Sequence, residues 1–170
     1  ILGLIYICNI LGKSNLGLGK FKEAEQSFKK GLKIAEKFPS PRGIAHISLS
    51  MGILYLNTKR YKKAEEVLLR VIKISKKRNL RRYLGKSYIY LSKNYLGTGE
   101  IEKSIEALKK GKEITYSIAT VGDLFLTDIT EAQVLEKEGK KEKSIEILHR
   151  MKDKFSQDKF LSKIYEKLFE

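Results

Sequence analysis

Shifted by forty positions, the sequence lies on itself without a gap. Leu4, Ile44, Leu84, Leu124 and Ile164 fall in one row, and Phe28, Leu68, Leu108 and Leu148 in another. Leu11, Met51 and Leu91 make a third, which Glu131 breaks. Small residues keep rows of their own: Gly12, Gly52, Ser92 and Ala132, then Ala24, Ala64, Ser104 and Ser144. A period of about 20–50 residues is the signature of a stacked repeat architecture rather than of one closed core. The rows divide residues 1–170, read as a single repeat domain, into units at 1–40, 41–80, 81–120 and 121–160. Residues 161–170 then open a fifth unit or cap the array with a helix.

Within a unit the spacing is helical. Leu84, Tyr88, Leu91 and Tyr95 stand at i, i+4, i+7 and i+11, which is one stripe of a helix. Ile101, Ser104, Leu108, Gly111 and Ile114 form a second stripe. Between them GTG supplies a short turn, as LGLGK and NTK do in the first two units. No two-residue alternation competes, and two prolines in 170 residues leave long runs free for helix. Each unit is therefore an antiparallel helical hairpin. Where the two small rows face each other the helices can approach closely. One hairpin cannot bury both stripes alone, so an all-α solenoid of stacked hairpins is expected.

The Leu-Gly pair, the aromatic three residues beyond, and the small and large apolar residues of the second helix resemble the tetratricopeptide repeat. Met51-Gly52, Tyr55, Ala64 and Leu68 carry the resemblance best, followed by Leu11-Gly12, Ala24 and Phe28. Leu91-Ser92, Tyr95, Ser104 and Leu108 follow with substitutions, and the fourth unit is degenerate. The chain departs in its period, since the usual repeat is about 34 residues. Cys8, Ser48, Tyr88 and Asp128 stand where the family has an early tryptophan. The resemblance implies the forty-residue variant of the family, with right-handed stacking, longer helices and a non-catalytic binding role. A HEAT-like solenoid is the alternative, though it lacks this Gly/Ala arrangement.

The formal net charge is +15, and it is uneven. Residues 41–80 carry 10 cations against 2 acids, whereas 121–170 carry 10 against 11. Only 7 of the 35 cations are arginine, the better phosphate reader, so a solvated lysine-rich surface explains most of the excess. The lone Cys8 excludes an internal disulfide framework and suits a reducing, cytoplasmic setting. ILGLIYICNIL at the start is too short to span a bilayer, which takes about 20 residues. A helix apolar nearly all round is normally buried, so this one is expected to pack on an earlier repeat, another domain or a second copy.

Chemistry-bearing motifs are weak. GLGK at 17–20 lacks the glycine and Ser/Thr that a phosphate loop needs, because Ser14 and Phe21 hold those places. The GKS runs at 12–14 and 85–87 lack the first glycine. His46 and His149 are far apart and without neighbouring ligands, so no metal or other cofactor is expected. Cys8 has no base beside it, and Glu65-Glu66 reads as a solvated helix face. No catalytic residue is assigned.

In a stack of hairpins the first helices line the concave wall. Opposite the core stripe of the third first-helix lie Lys86, Tyr90, Lys93 and Gly97. Equivalent rows add Tyr6, Lys13, His46, Ser50, Ile53 and Asn57, with Asn9, Leu49, Ile89 and Ile129 at the edge. These place a partly apolar, cationic groove for a protein or peptide carrying an acidic or C-terminal element. Against it stands a plainer reading, in which the aliphatics pack between neighbouring helices. Some family members clamp a terminal carboxylate; measured on that pattern, Asn9 and Lys13 are in exchanged order, Ser50 and Tyr90 are replacements, and Lys86 matches. The run KKRNLRR adds Lys76, Lys77, Arg78, Arg81 and Arg82 as candidate anion contacts. Two alternatives remain: a sensor or oligomerisation domain of a longer regulator such as a transcription factor, associating through its first helix, and nucleic-acid binding through the basic second unit.

Overall fold

The computed structural model describes residues 1–118 and 120–155. The expected fifth unit at 161–170, with Ile164, lies outside the described residues. Eight helices follow one another: α1 (Leu2–Gly17), α2 (Phe21–Lys37), α3 (Pro41–Asn57), α4 (Tyr61–Lys77), α5 (Arg81–Thr98), α6 (Ile101–Ile118), α7 (Val121–Lys137) and α8 (Lys141–Phe155). Second helices start at residues 21, 61, 101 and 141, so the forty-residue step survives to the residue. No strand occurs among the described residues.

The step is also written in the turns. Gly19, Lys59, Gly99 and Gly139, forty apart, all take a left-handed φ of 55–81°. At the third turn Gly99 N–H donates to the Leu96 carbonyl and Glu100 N–H to that of Tyr95. Lys59 and Arg60 repeat the pattern on Leu56 and Tyr55. Three turns use glycine, for which this conformation is free, while Lys59 bears a steric cost of roughly 1 kcal/mol.

The small rows do what their spacing predicts. A Cβ on Gly12 would run into the ring of Phe28, and one on Gly52 would sit 2.8 Å from Leu68 Cδ2. In the third hairpin Ser104 Oγ donates to the Ser92 carbonyl at 2.9 Å, and in the fourth Ser144 Oγ donates to that of Ala132 at 2.9 Å. Hairpins then stack, α2 on α3, α4 on α5 and α6 on α7. The first helices also touch in a row, α1 on α3, α3 on α5 and α5 on α7, whereas the second helices form no comparable row among the described residues. The array therefore curves with the first helices on its inner wall. Tyrosine rungs tie successive hairpins: Tyr55 Oη donates to Glu25 at 3.3 Å and Tyr95 Oη to Glu65 at 2.7 Å.

Among the described residues α1 has no helix stacked before it. Its Ile5, Cys8 and Gly12 are buried, but Leu4, Ile7, Ile10 and Leu11 are each more than half exposed. Forty residues on, Ile47 and Met51 occupy the places of Ile7 and Leu11 and are buried with Phe28 and Ala35 of α2.

Candidate functional site

Along α3, Arg42, His46, Leu49, Ser50 and Ile53 recur at helical spacing and so share one face. Arg82 and Lys86 do the same on α5, and Lys13 reaches across from α1. Because the first helices touch, these faces meet on the inner wall around a cavity of about 500 Å³. Leu49, Ser50 and Ile53 line it beside the charged groups, and Arg81 and Tyr83 complete its wall on α5.

Five cations converge here, and one acid answers them. Asp123 of α7, almost fully buried, takes Arg82 Nε at 2.8 Å on Oδ2 and Lys86 Nζ at 2.9 Å on Oδ1. Arg82 also donates to Thr120 Oγ1 at 3.3 Å. Burial pushes the Asp123 carboxyl up, but the hydrogen bonds and charges of Arg82 and Lys86 outweigh it and hold the group below its ordinary value. Arg81 donates to the Ser117 hydroxyl at 2.9 Å. Among the described residues Lys13 and Arg42 have no carboxylate within ion-pair distance. Burial, then the neighbouring charges of Lys86 and Arg82, pull Lys13 below its ordinary value.

His46 sits at the centre of this field. Burial first, then Lys13 and Lys86, push it down to about 4, so it is neutral at physiological pH. Its Nε2 accepts from Asn9 Nδ2 at 3.0 Å, and its ring lies between Tyr6 and Tyr83, with centroids 5.2 and 5.9 Å away. A neutral imidazole in tilted contact with two aromatic rings makes a wall, while the unsatisfied charge belongs to the cations around it.

A second cavity of about 300 Å³ lies further along α5, between Lys93, Leu96 and Gly97 and the Gln133–Lys137 stretch of α7. Burial lowers the Lys93 ammonium below its ordinary value.

The large cavity gathers Lys13, His46, Leu49, Ser50, Ile53, Lys86, Arg81 and Arg82 from the residues expected at the site. Others fall elsewhere. Asn9 is buried behind His46 with its Oδ1 unpartnered, so it supports the wall instead of lining the groove. Ile89, expected at the groove edge, is fully buried with Cδ1 over Gly111 of α6, and Ile129 is buried in the α7–α8 core. Leu49 and Ser50 are themselves buried and form floor, not edge. Ile89 packs with Leu108 of α6 and Val134 of α7, as the plainer reading has it, whereas Ile129 is closed off within its own hairpin and Asn9 by its bond to His46. Tyr90 is half-buried, and burial with the nearby Asp123 charge pushes its hydroxyl up to about 12. Asn57 is exposed at the end of α3. The basic run does not act as one patch, because Lys76, Lys77 and Arg78 end α4 in solvent while Arg81 and Arg82 open α5 at the cavity.

Arg42, Tyr83 and Asp123 were not anticipated. Arg42 had a signal, since it shares the forty-residue row of Arg82. Asp123 had none, standing in a row otherwise of Gly3, Gly43 and Tyr83. Among the described residues no cluster of three or more His, Cys, Asp or Glu could hold a metal, and no helix is long and apolar enough to cross a membrane.

Residues 5–38 and 45–78 each match the family model of the tetratricopeptide repeat. No curated protein matches the chain. Among solved structures it resembles a Podosopora anserina kinesin light chain with nearly identical TPR-like repeats: 15% identity over 91% of this chain and 77% of that one, TM-score 0.62. A single-substitution variant of that protein matches at 16% identity over 90% and 75%, TM-score 0.66. At these identities the likeness speaks to fold. Residues 5–38 and 45–78 thus form two tetratricopeptide repeats by their match to the family model, and the described chain as a whole is an all-α solenoid of forty-residue hairpins.

Proposed function

We propose that the solenoid is a protein-binding scaffold whose inner wall seats an acidic element of an extended peptide in the Lys13–Arg42–Lys86 cavity. Repeats of this kind generally serve protein–protein association and are typically non-catalytic. The observation that carries the finer reading is the charge imbalance: five cations line one cavity and a single carboxylate, Asp123, meets two of them. Leu49 and Ile53 offer apolar floor beside those charges, which suits a peptide side chain next to its acid. Desolvating the partly exposed Ile53 adds apolar contact, while the cations set orientation and encounter rate. Lys93 supplies a further cation two turns along α5, about 10 Å from Lys86. The test is retention of degenerate acidic peptides against basic ones of equal length, with Lys13→Glu/Arg42→Glu beside the wild type. Neither residue has an ion-pair partner among the described residues, so the variant should fold unchanged by circular dichroism and lose the acidic peptides. Equal retention by both proteins would refute the site.

The bare face of α1 favours a second reading, a docking helix of an oligomer or of a longer regulator. Ile7→Lys should then abolish any concentration-dependent mass increase in sedimentation; a monomer at every concentration removes the self-association form. Nucleic-acid contact through the second unit has less support, because its basic run is divided between two surfaces.

A further inference from the structure

We infer that the anionic element seated in the inner-wall cavity is a phosphate monoester on a peptide side chain, not a lone carboxylate. This rests on the reading of the cavity as the peptide-binding site. The first argument is charge. Among the described residues the Asp123 carboxylate is already shared by Arg82 and Lys86, Arg81 meets the Ser117 hydroxyl, and Lys13 and Arg42 pair with no acid. A carboxylate guest brings one negative charge to this excess. A phosphate monoester brings about 1.5–2 at neutral pH, with three strong acceptor oxygens.

The second argument is the kind of cation. Lysines far outnumber the 7 arginines of this chain, yet Arg42, Arg81 and Arg82 all line the one cavity. The guanidinium fork binds a tetrahedral oxyanion through paired N–H groups, which an ammonium cannot do. Arg42 and Arg82 hold the same repeat position on adjacent inner-wall helices; Arg82 already gives its Nε to Asp123 and an Nη to Thr120, so Arg42 is the fork left for a guest anion. The third is the backbone: α5 begins at this cavity, its N-cap Leu80 gives no side-chain cap, and its first-turn amides add positive potential.

Convergence on a single cavity separates this guest from an acidic run, whose charges are spread along the chain. The flanking Leu49 and Ile53 favour a peptide carrier over free phosphate.

Fluorescence-polarisation titration of the full chain tests it with four probes: degenerate peptides centred on phosphoserine, the same peptides with serine or with aspartate, and adenosine monophosphate. Phosphoserine peptides should bind about tenfold tighter than either unphosphorylated set, in a salt-dependent way. Binding should weaken below pH about 6 as the phosphate gains its proton. His46 stays neutral down to about 4 and Asp123 stays charged, so neither masks that titration. Arg42→Lys should cost the phosphoserine peptides several-fold and the aspartate peptides little, while Lys76→Glu/Lys77→Glu outside the cavity should leave binding intact.

Equal affinity for aspartate and phosphoserine peptides overturns the phosphate assignment and leaves the acidic-groove reading standing. No binding of any peptide sinks both. Adenosine monophosphate, or single-stranded RNA used as a competitor, binding more tightly than the phosphopeptides overturns the peptide carrier.

Discussion

The junction between α2 and α3 and the junction between α6 and α7 occupy equivalent places in the repeat and are held by different chemistry. The first is mainly apolar, with the Tyr55–Glu25 hydrogen bond at its end: Ile47 and Met51 are buried with Phe28 and Ala35, and Gly31 makes room for Ile47 and Cys8. The second is polar. The hydroxyls of Thr115 and Thr127 meet at 3.0 Å, and the Tyr116 hydroxyl donates to the fully buried Asp128. Lys112 Nζ lies 2.6 and 2.7 Å from the two Glu131 oxygens, and Asp123 ties α7 to Arg82 and Lys86 of α5. Glu131, which breaks an apolar row in the sequence, is therefore paired and not misplaced. The forty-residue step is preserved by backbone geometry and small-residue contacts, while the adhesive between hairpins is free to change. A polar junction accepts one register only, but it exposes that end of the array to salt and acid.

The largest effect should come at the apolar end. Phe28→Ala should cost about 3–5 kcal/mol in urea unfolding, since the ring is wholly buried against Gly12. A loss below about 1 kcal/mol would mean that junction is loosely packed after all. Asp128→Ala, which removes the buried, charged acceptor of the Tyr116 hydroxyl, should cost about 1–3 kcal/mol. In hydrogen exchange the loss of protection should be confined to α6–α8; equal loosening of α1–α3 would show that the two ends are not independent.

Acid should sharpen the contrast further. The folded Asp123 carboxyl lies below its ordinary value, so its contribution is complete above pH about 4 and disappears as pH falls through the depressed value. The wild type and Asp123→Asn should therefore differ at neutral pH and converge in strong acid. His46 shares that proton preference with the opposite charge preference: unfolded, it charges near 6.5, whereas folded it stays neutral until about 4. Stability should fall as pH drops across that interval, and His46→Gln should flatten the fall. The smallest effect is expected at the second turn, where Lys59→Gly should gain about 0.5–1 kcal/mol by relieving the left-handed lysine. The same position in the other hairpins offers no such gain, being glycine already.

Helix positions and the close hairpin contacts were legible because a period exposes equivalent residues. Rows compare like with like, however, and cannot pair unlike positions. Arg82 with Asp123, one repeat and one residue apart, lies outside what a forty-step alignment displays. The groove edge was misjudged for a different reason. A helical wheel places Ile89 near the inner side, but only the distance between neighbouring first helices decides whether that flank stays open, and it is closed. Arg42 was passed over because a search for charge runs ignores a solitary arginine, although its row partner Arg82 was chosen.

Asp123 belongs to the last described hairpin yet holds two of the cations that a guest would use on the one before it. Whatever anion settles there bargains with that carboxylate for the same hydrogens, so seating of a ligand and seating of α7 become one linked equilibrium. The curvature of the far end is then part of what the inner wall measures.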